Sequence, residues 1–366
     1  MELGLGIFAQ VLTENHVFWI IDNNIILIHN AQMSETILEN REEIKTVSTT
    51  LSISDRVGGF LVRWAFMRNN YKVEPGIYKV GVPNEQSSVF VTANYKLTFD
   101  FLRAALHGFS AWILVLDTKG VNVWCAAGKG TFGTKELVSK IETTKLSEIV
   151  AHRQLILPQL SATGIAAHEV QKNTGFKVLY GPVSTSDIPA FIKNNFAVSA
   201  SMRIVKFTLW DRLVLVPIEL VHAFLPILLI AGILILIAGI HPTGYSLALA
   251  ESLQILFGVF MAYLAGALFT PLLLPWVPYR SFSMKGFVVG LVVAIVYVSS
   301  YKLSIFNALV WTLLITSVSS FLAMNFTGSS TYTSLSGVKK EMKVAIPLQL
   351  VAFILGLIIF IVSSWI

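Results

Sequence analysis

Thiols are almost missing: Cys125 is the only cysteine among 366 residues. That excludes an intrachain disulfide, a four-cysteine zinc site and an iron–sulfur cluster held by this chain alone. If the protein needs electrons, another protein must bring them. Charge is also scarce. Asp, Glu, Lys and Arg make up 13% of the chain, against about a quarter in ordinary soluble domains, and the mean hydropathy is +0.69. The shortage is uneven. Residues 212–366 hold only seven of the 27 Lys and Arg and three of the 21 Asp and Glu. A soluble domain followed by a membrane domain is the reading that fits. No basic run exists either, and the net charge of +6 splits as +2 on the soluble part and +4 on the membrane part. Nucleic acid is thereby excluded as a partner, and the later excess points to membrane orientation. The start, MELGLGIFAQVLTENH, lacks a basic n-region, and Glu2 and Glu14 flank its short apolar run. No secretory signal is expected, and the soluble part is expected to stay in the cytoplasm.

A bilayer-crossing helix needs about 20 mostly apolar residues. Five stretches qualify: 215–240, 247–270, 285–301, 303–325 and 345–366. The third and fourth read as a helical hairpin, and Pro271, Pro275 and Pro278 end the second. Lys and Arg near the span ends set orientation. Arg203, Lys206 and Arg212 precede the first span, Arg280 and Lys285 follow the second, and Lys339, Lys340 and Lys343 precede the fifth, with Lys302 alone on the other side. This predicts a multi-pass protein of the cytoplasmic (inner) membrane, with residues 1–211 in the cytoplasm and the C-terminus outside. Glu219 and His222 share a face of the first span. They read as an interfacial hydrogen-bonded pair, with metal handling as the other reading.

In the soluble half, apolar runs of strand length alternate with segments of helical period. Strands are predicted at 87–93, 111–117, 121–127, 154–160 and 177–183, and helices at 95–106, 134–143, 164–174 and 186–195. Ser184 and Asp187 form a capping pair for the last helix. The fold class is therefore α/β: a Rossmann-like, mostly parallel sheet over 47–211, followed by an all-α membrane domain of five transmembrane helices over 212–366. Residues 1–46 form an unassigned extension, in which HVFWIIDNNIILIHN reads as a strand pair. Open parallel sheets bind ligands outside the carboxyl ends of their strands. Here those segments are TANY (92–95), DTKG (117–120), CAAGKGTFGT (125–134), LSATG (160–164) and YGPVSTSD (180–187). Small and polar residues dominate them, which suits a large flat ligand pressed against backbone. Thr92 and Asn94 read as ligand contacts. Asp117, Thr118 and Lys119 stay open between turn formation and contact, Lys129 between contact and solvent, and His168 reads as a solvated helix residue.

Gly128-Lys129-Gly130-Thr131-Phe132-Gly133 spells G-x-G-x-x-G. A dinucleotide site would need an acidic residue at a strand end about 20 positions on, but Glu148 falls in a helical segment, TKLSEIVAHR. A P-loop would need Ser or Thr after Lys129, where Gly130 stands. Cys125 is either an inert packed thiol or a ligand or nucleophile held at the mouth of a site. A single thiolate can supply one axial ligand to a metal already held in a macrocycle.

VFVTANYKLTFDFLRAAL, AWILVLDTKGVNVWCAAGKGTFGT and LSATGIAAHEVQKNTGFKVLYGPV resemble the corrinoid-binding domain of the corrinoid iron–sulfur protein of acetyl-CoA synthesis. N-V-W-C-A-A-G-K joined to a membrane domain, with NFTGSSTYTSLSGVKKEM between the last two spans, resembles the mercury-methylating corrinoid proteins. The resemblance covers roughly residues 47–366 and implies a corrinoid (cobalamin-type, cobalt) cofactor. It implies Cys125 as the lower axial cobalt ligand, with Asn122, Trp124, Ala126, Ala127, Gly128 and Lys129 forming a cap-like turn around it and Val123, Gly130 and Thr131 beside them in the cofactor site. Thr92, Asn94, Thr118, Lys119, Gly120, Thr163, Gly164, Gly181 and Pro182 would complete the cofactor site. The implied activity is methyl transfer to Hg(II), giving methylmercury. The implied partners are a methylated-folate donor system and a ferredoxin-like protein with two 4Fe–4S clusters. A methyl carrier of acetyl-CoA-type one-carbon metabolism and a transporter with a soluble regulatory domain are the rival readings.

Overall fold

A computed structural model describes residues 44–241, 243–329 and 335–363. The strand pair expected at 16–30 lies outside the described residues. The soluble part runs β1 (Thr46–Val47), α1 (Ile53–Arg63), β2 (Gly76–Val80), β3 (Val89–Ala93), α2 (Lys96–Ala105) and β4 (Ala111–Leu116). It continues α3 (Val123–Lys129), α4 (Thr134–Thr143), α5 (Leu146–Ile149), β5 (Gln154–Leu157), α6 (Ala167–Thr174), β6 (Lys177–Tyr180) and α7 (Ile188–Lys193). The six strands pair in the order β1-β2-β4-β3-β5-β6, and only the β2–β4 pairing is antiparallel.

Every residue of β3 and β4 is buried, as expected for central strands covered on both faces. Alternate side chains sort to opposite faces. Val89, Val91, Ala93, Leu114 and Leu116 pack with Phe132, Leu137, Ile141, Leu146 and Val170, from the stretch α3–α6. Phe90, Ile113, Val115 and Ile156 pack with Phe99, Leu102, Ile188 and Phe191, from α2 and α7. Full burial of each such side chain contributes roughly 1.5–3 kcal/mol. The chain therefore leaves β3 toward one face and β5 toward the other. The ladder between these two neighbours ends at Phe90↔Ile156, whereas β3 pairs with β4 along its whole length, Val89 to Ala93.

Two expectations are corrected. Residues 121–127 do not form a strand: after a short turn the chain enters α3, because the Asn122 side chain accepts the Cys125 N–H and caps the helix. Ser184 does not cap α7; its hydroxyl accepts the Ser186 N–H and caps the 3-10 turn Thr185–Asp187 before it.

The C-terminal part is helical: α8 (Leu209–Ala238), a short hairpin of β7 (Ile240–His241) and β8 (Gly244–Tyr245), α9 (Leu249–Leu264), a π-helical stretch Ala265–Phe269 leading into α10 (Thr270–Leu273), α11 (Phe282–Tyr301), α12 (Ile305–Asn325) and α13 (Leu335–Ser363). Among the described residues five helices are long and apolar enough to cross a membrane, α9 and α10 counting as one. α12 is central. Glycines let its neighbours close in: a Cβ at Gly286 would come 2.5 Å from Ala323 Cβ, and one at Gly290 2.8 Å from Ser319 Cβ. Ser319 Oγ donates to Gly286 O (2.7 Å), Ser320 Oγ to Ser283 O (2.9 Å) and Gln349 Nε2 to Ser320 Oγ (2.7 Å). Small residues and interhelical hydrogen bonds are what hold helices together once lipid removes the hydrophobic incentive.

Candidate functional site

Where β3 and β5 stop pairing, a cavity of about 270 Å³ opens at their carboxyl ends. One strand there hands the chain to one face and its neighbour to the other, which is the position at which parallel α/β sheets bind ligands. Phe90, Val91 and Thr92 of β3, Ile156 and Leu157 of β5 with Pro158 behind them, and Thr98 and Leu102 of α2 form its floor and one wall. Asn122, Val123 and Trp124 at the start of α3 form another, and Gly181, Pro182, Val183, Thr185 and Ile188 close it. Gly181 suits the wall because a Cβ there would come 3.3 Å from Ile156 Cγ2.

α3 buries Val123, Ala126 and Ala127 against the sheet and turns Trp124, Cys125, Gly128 and Lys129 outward. Cys125 is a free, half-buried thiol one residue beyond the cavity wall. Nothing lies within 4 Å of a Cβ built on Gly128, so the helix face beside the thiol is bare. Gly130 ends the helix at φ 82°, a left-handed cap suited to glycine. Thr131 N–H returns to Ala126 O at 3.0 Å. Gly164 locks α3 from below: a Cβ there would sit 2.3 Å from Phe132 O and 3.0 Å from Ala127 Cα. Thr163 beside it is exposed.

Of the sequence-predicted site residues, the structure brings Thr92, Asn122, Val123, Trp124, Gly181 and Pro182 together on the cavity. Asn94 and Thr118 are placed differently. They are 2% and 0% exposed, and Asn94 Oδ1 accepts the N–H groups of Thr118 (3.1 Å) and Gly120 (3.0 Å) while its Nδ2 donates to Asp117 Oδ1 (3.1 Å). These side chains knit the loops after β3 and β4. Lys119 is left-handed, with φ 59°, and ion-pairs with Asp117. The lysine's hydrogen bond outweighs the opposing effect of burial and holds the Asp117 carboxyl below its ordinary range. Gly120 packs toward residues 69–72. These contacts hold residues 117–120 as a turn.

Leu160, Val183 and Thr185 fall in the expected segments 160–164 and 180–187, whereas Phe90, Val91, Thr98, Leu102, Ile156, Leu157, Pro158 and Ile188 escaped the sequence reading. They are ordinary core types, and only the end of the β3–β5 ladder makes them a wall. His168 is exposed on α6, as expected. Glu219 and His222 gain no third ligand, since no group of three or more His, Cys, Asp or Glu able to hold a metal occurs among the described residues.

Residues 66–192 match the family model described as CO dehydrogenase/acetyl-CoA synthase delta subunit. The chain is 34% identical over 131 residues to the acetyl-CoA decarbonylase/synthase complex subunit gamma of Archaeoglobus fulgidus, covering 35% of this chain and 27% of that protein. It is 34% identical over 128 residues to the gamma subunit of Methanopyrus kandleri, covering 34% and 27%. It is 28% identical over 128 residues to the corrinoid/iron-sulfur protein large subunit of Moorella thermoacetica, covering 34% and 28%. The chain thus spans just over a quarter of the length of these curated relatives.

Proposed function

We propose that this chain is a membrane-held corrinoid protein of methyl transfer, and that its methyl acceptor is inorganic Hg(II). The coarser part is supported by similarity of the sheet domain to a corrinoid/iron-sulfur protein large subunit and to acetyl-CoA decarbonylase/synthase gamma subunits. The residues at hand fit such a group. A switch-point cavity with a glycine wall adjoins a bare helix face that carries a free thiol. When bound, the corrinoid supplies a cobalt centre that takes up a methyl group from a donor and gives it to an acceptor.

The chain's own residues then have separate tasks. Asn122 fixes the first turn of α3 by accepting the Cys125 N–H. That sets the direction of the thiol, which as thiolate would offer the cobalt a soft sulfur donor. Trp124 and Val123, with Phe90, Leu102 and Ile188, line the cavity with apolar surface and exclude water. A thiolate at Cys125 would push electron density onto the cobalt and so favour giving the methyl group to an electrophile such as Hg(II); the free thiol on the bare face of α3 is the observation on which the mercury reading rests. Low-potential electrons would come from a ferredoxin-like partner, since one cysteine cannot hold a cluster. The relatives favour a second reading: a membrane-held carrier that passes methyl to another enzyme.

The test is to purify the protein with methylated corrinoid, add Hg(II) and quantify methylmercury beside a Cys125→Ala control. Product from the wild type, at least tenfold less from the variant, and an absorption spectrum changed in axial ligation are expected. Corrinoid bound by both proteins without product from either would leave the carrier reading. Identical axial spectra would remove Cys125 from the metal.

A further inference from the structure

α1 is turned the wrong way round for a helix on a soluble surface. Its sequence, ISDRVGGFLVR, places Ile53, Val57, Phe60 and Leu61 three to four residues apart, hence on one stripe. That stripe faces outward, with exposures of 81%, 51%, 59% and 40%. Phe66 and Met67 continue it beyond the helix at 59% and 76%, and Phe101 of α2 joins it at 41%. Asp55, Gly58, Gly59 and Val62 face the protein. Gly58 lies under the Tyr71 ring and Gly59 against Leu97, where side chains would crowd. Asp55 pairs with Lys96 and Arg103 of α2, and a capping box of Ser52 and Asp55 fixes the start. The arrangement is anchored, so the bare stripe is held outward by the fold. A contiguous exposed apolar patch of this kind marks an interaction surface.

The neighbourhood says what covers it. α1 lies alongside α8, the first of the five candidate spans. Residues 204–208 alone separate the last turn of the soluble part, Ala200–Arg203, from α8. The first turns of α8 expose Leu209, Trp210 at 69% and Leu213, and tryptophan at a span end sits at headgroup level. Cations border the stripe: Arg56 is exposed within α1, Arg63 lies 5.6 Å over the Phe101 ring, and Lys206 is exposed just before the span. An apolar stripe with basic flanks, beside a span, matches the headgroup and upper acyl layer of an anionic leaflet. α1 also precedes residues 66–192, the stretch that matches the family model.

We propose that α1 and the turn behind it are a membrane-surface element, seating Ile53, Val57, Phe60, Phe66 and Met67 in the leaflet on the side of the soluble domain. The element fixes the tilt of the sheet domain and is independent of what the cavity binds.

Spin labels test this in the full-length protein, in a Cys125→Ser background so that each label is single. Labels go at Ile53→Cys and Phe60→Cys, with Glu169→Cys on α6 as an exposed control. The protein is reconstituted in vesicles of phosphatidylcholine and phosphatidylglycerol, and collision with oxygen is compared with collision with a water-soluble nickel chelate. Residues 53 and 60 should favour oxygen by severalfold relative to residue 169. Nickel access equal to that at 169 would place the face in water and overturn the proposal. Shielding from both reagents would mean that protein covers the stripe, and would overturn it equally. Ile53 is 81% exposed, so its label disturbs little packing and decides the matter if Phe60→Cys fails to fold.

Discussion

Gly164 is a residue whose missing side chain is the point. A methyl group there would press into Phe132 O and the Ala127 backbone, and neither is the flexible tip of a side chain. Gly164→Ala is therefore expected to cost about 1–3 kcal/mol, the range for overpacking, and to shift α3 outward with Cys125 on it. A lowered melting temperature of the detergent-solubilised protein, with the corrinoid spectrum altered in parallel, is the expected result. An unchanged melt would show that the β5–α6 loop moves freely away from α3. At this scale the sequence conveyed residue types better than their tasks. Asn94 looked like a ligand contact because it ends a strand on the ligand side. In the fold its amide bonds to Thr118, Gly120 and Asp117, a structural task that only tertiary placement reveals. Cys125 was conspicuous by rarity, whereas Leu102 and Ile188 could not be, being chemically identical to core residues elsewhere.

Elements were legible where pattern and local chemistry agree. α4 falls at 134–143, as its period predicts, and α12 lies within two residues of the expected fourth span. The miss at 121–127 has a local cause. V-N-V-W-C carries β-branched and aromatic residues that favour strand, yet Asn122 supplies a helix cap. α1, β1 and β2 were not assigned from sequence, because α1 exposes its apolar face and so mimics no ordinary surface helix. What holds α1 to α2 is a four-charge cluster: Asp55 and Asp100 with Lys96 and Arg103, at 2.5–2.8 Å. Burial would raise the Asp55 carboxyl, but hydrogen bonds from Lys96, Ser52 and Arg103 outweigh it and hold that carboxyl far below its ordinary value. A depressed carboxylate stabilises the fold fully above its unfolded value, near 3.9, and that contribution disappears as pH falls through the folded value. The junction of α1 and α2 should therefore survive at pH 5 and loosen progressively below about pH 4. Asp55→Asn should lose roughly 1.5–3 kcal/mol at pH 7 and flatten the acid limb of a stability–pH curve. An acid limb as steep as in the wild type would show that another group carries it.

For the whole molecule, crossing by all five candidate helices would place the sheet domain and residue 363 on opposite sides of the bilayer. Arg280 then shares the side of the soluble domain, and Lys302, in the tight turn between α11 and α12, faces the other. In a Cys125→Ser background, a membrane-impermeant maleimide should label Arg280→Cys only from the side of the soluble domain and Lys302→Cys only from the opposite side. Labelling of both from one side would mean that α11 does not cross. The short connection at 204–208 has a further consequence. Five residues reach at most about 17 Å when fully stretched, while a domain of about 165 residues has a radius of gyration near 15 Å. The sheet domain is leashed by less than its own diameter. It cannot swim out to meet a partner. Any partner must come to it within a thin shell above the lipid, and only one that is itself held on the membrane would trade a search through a volume for a search over a surface.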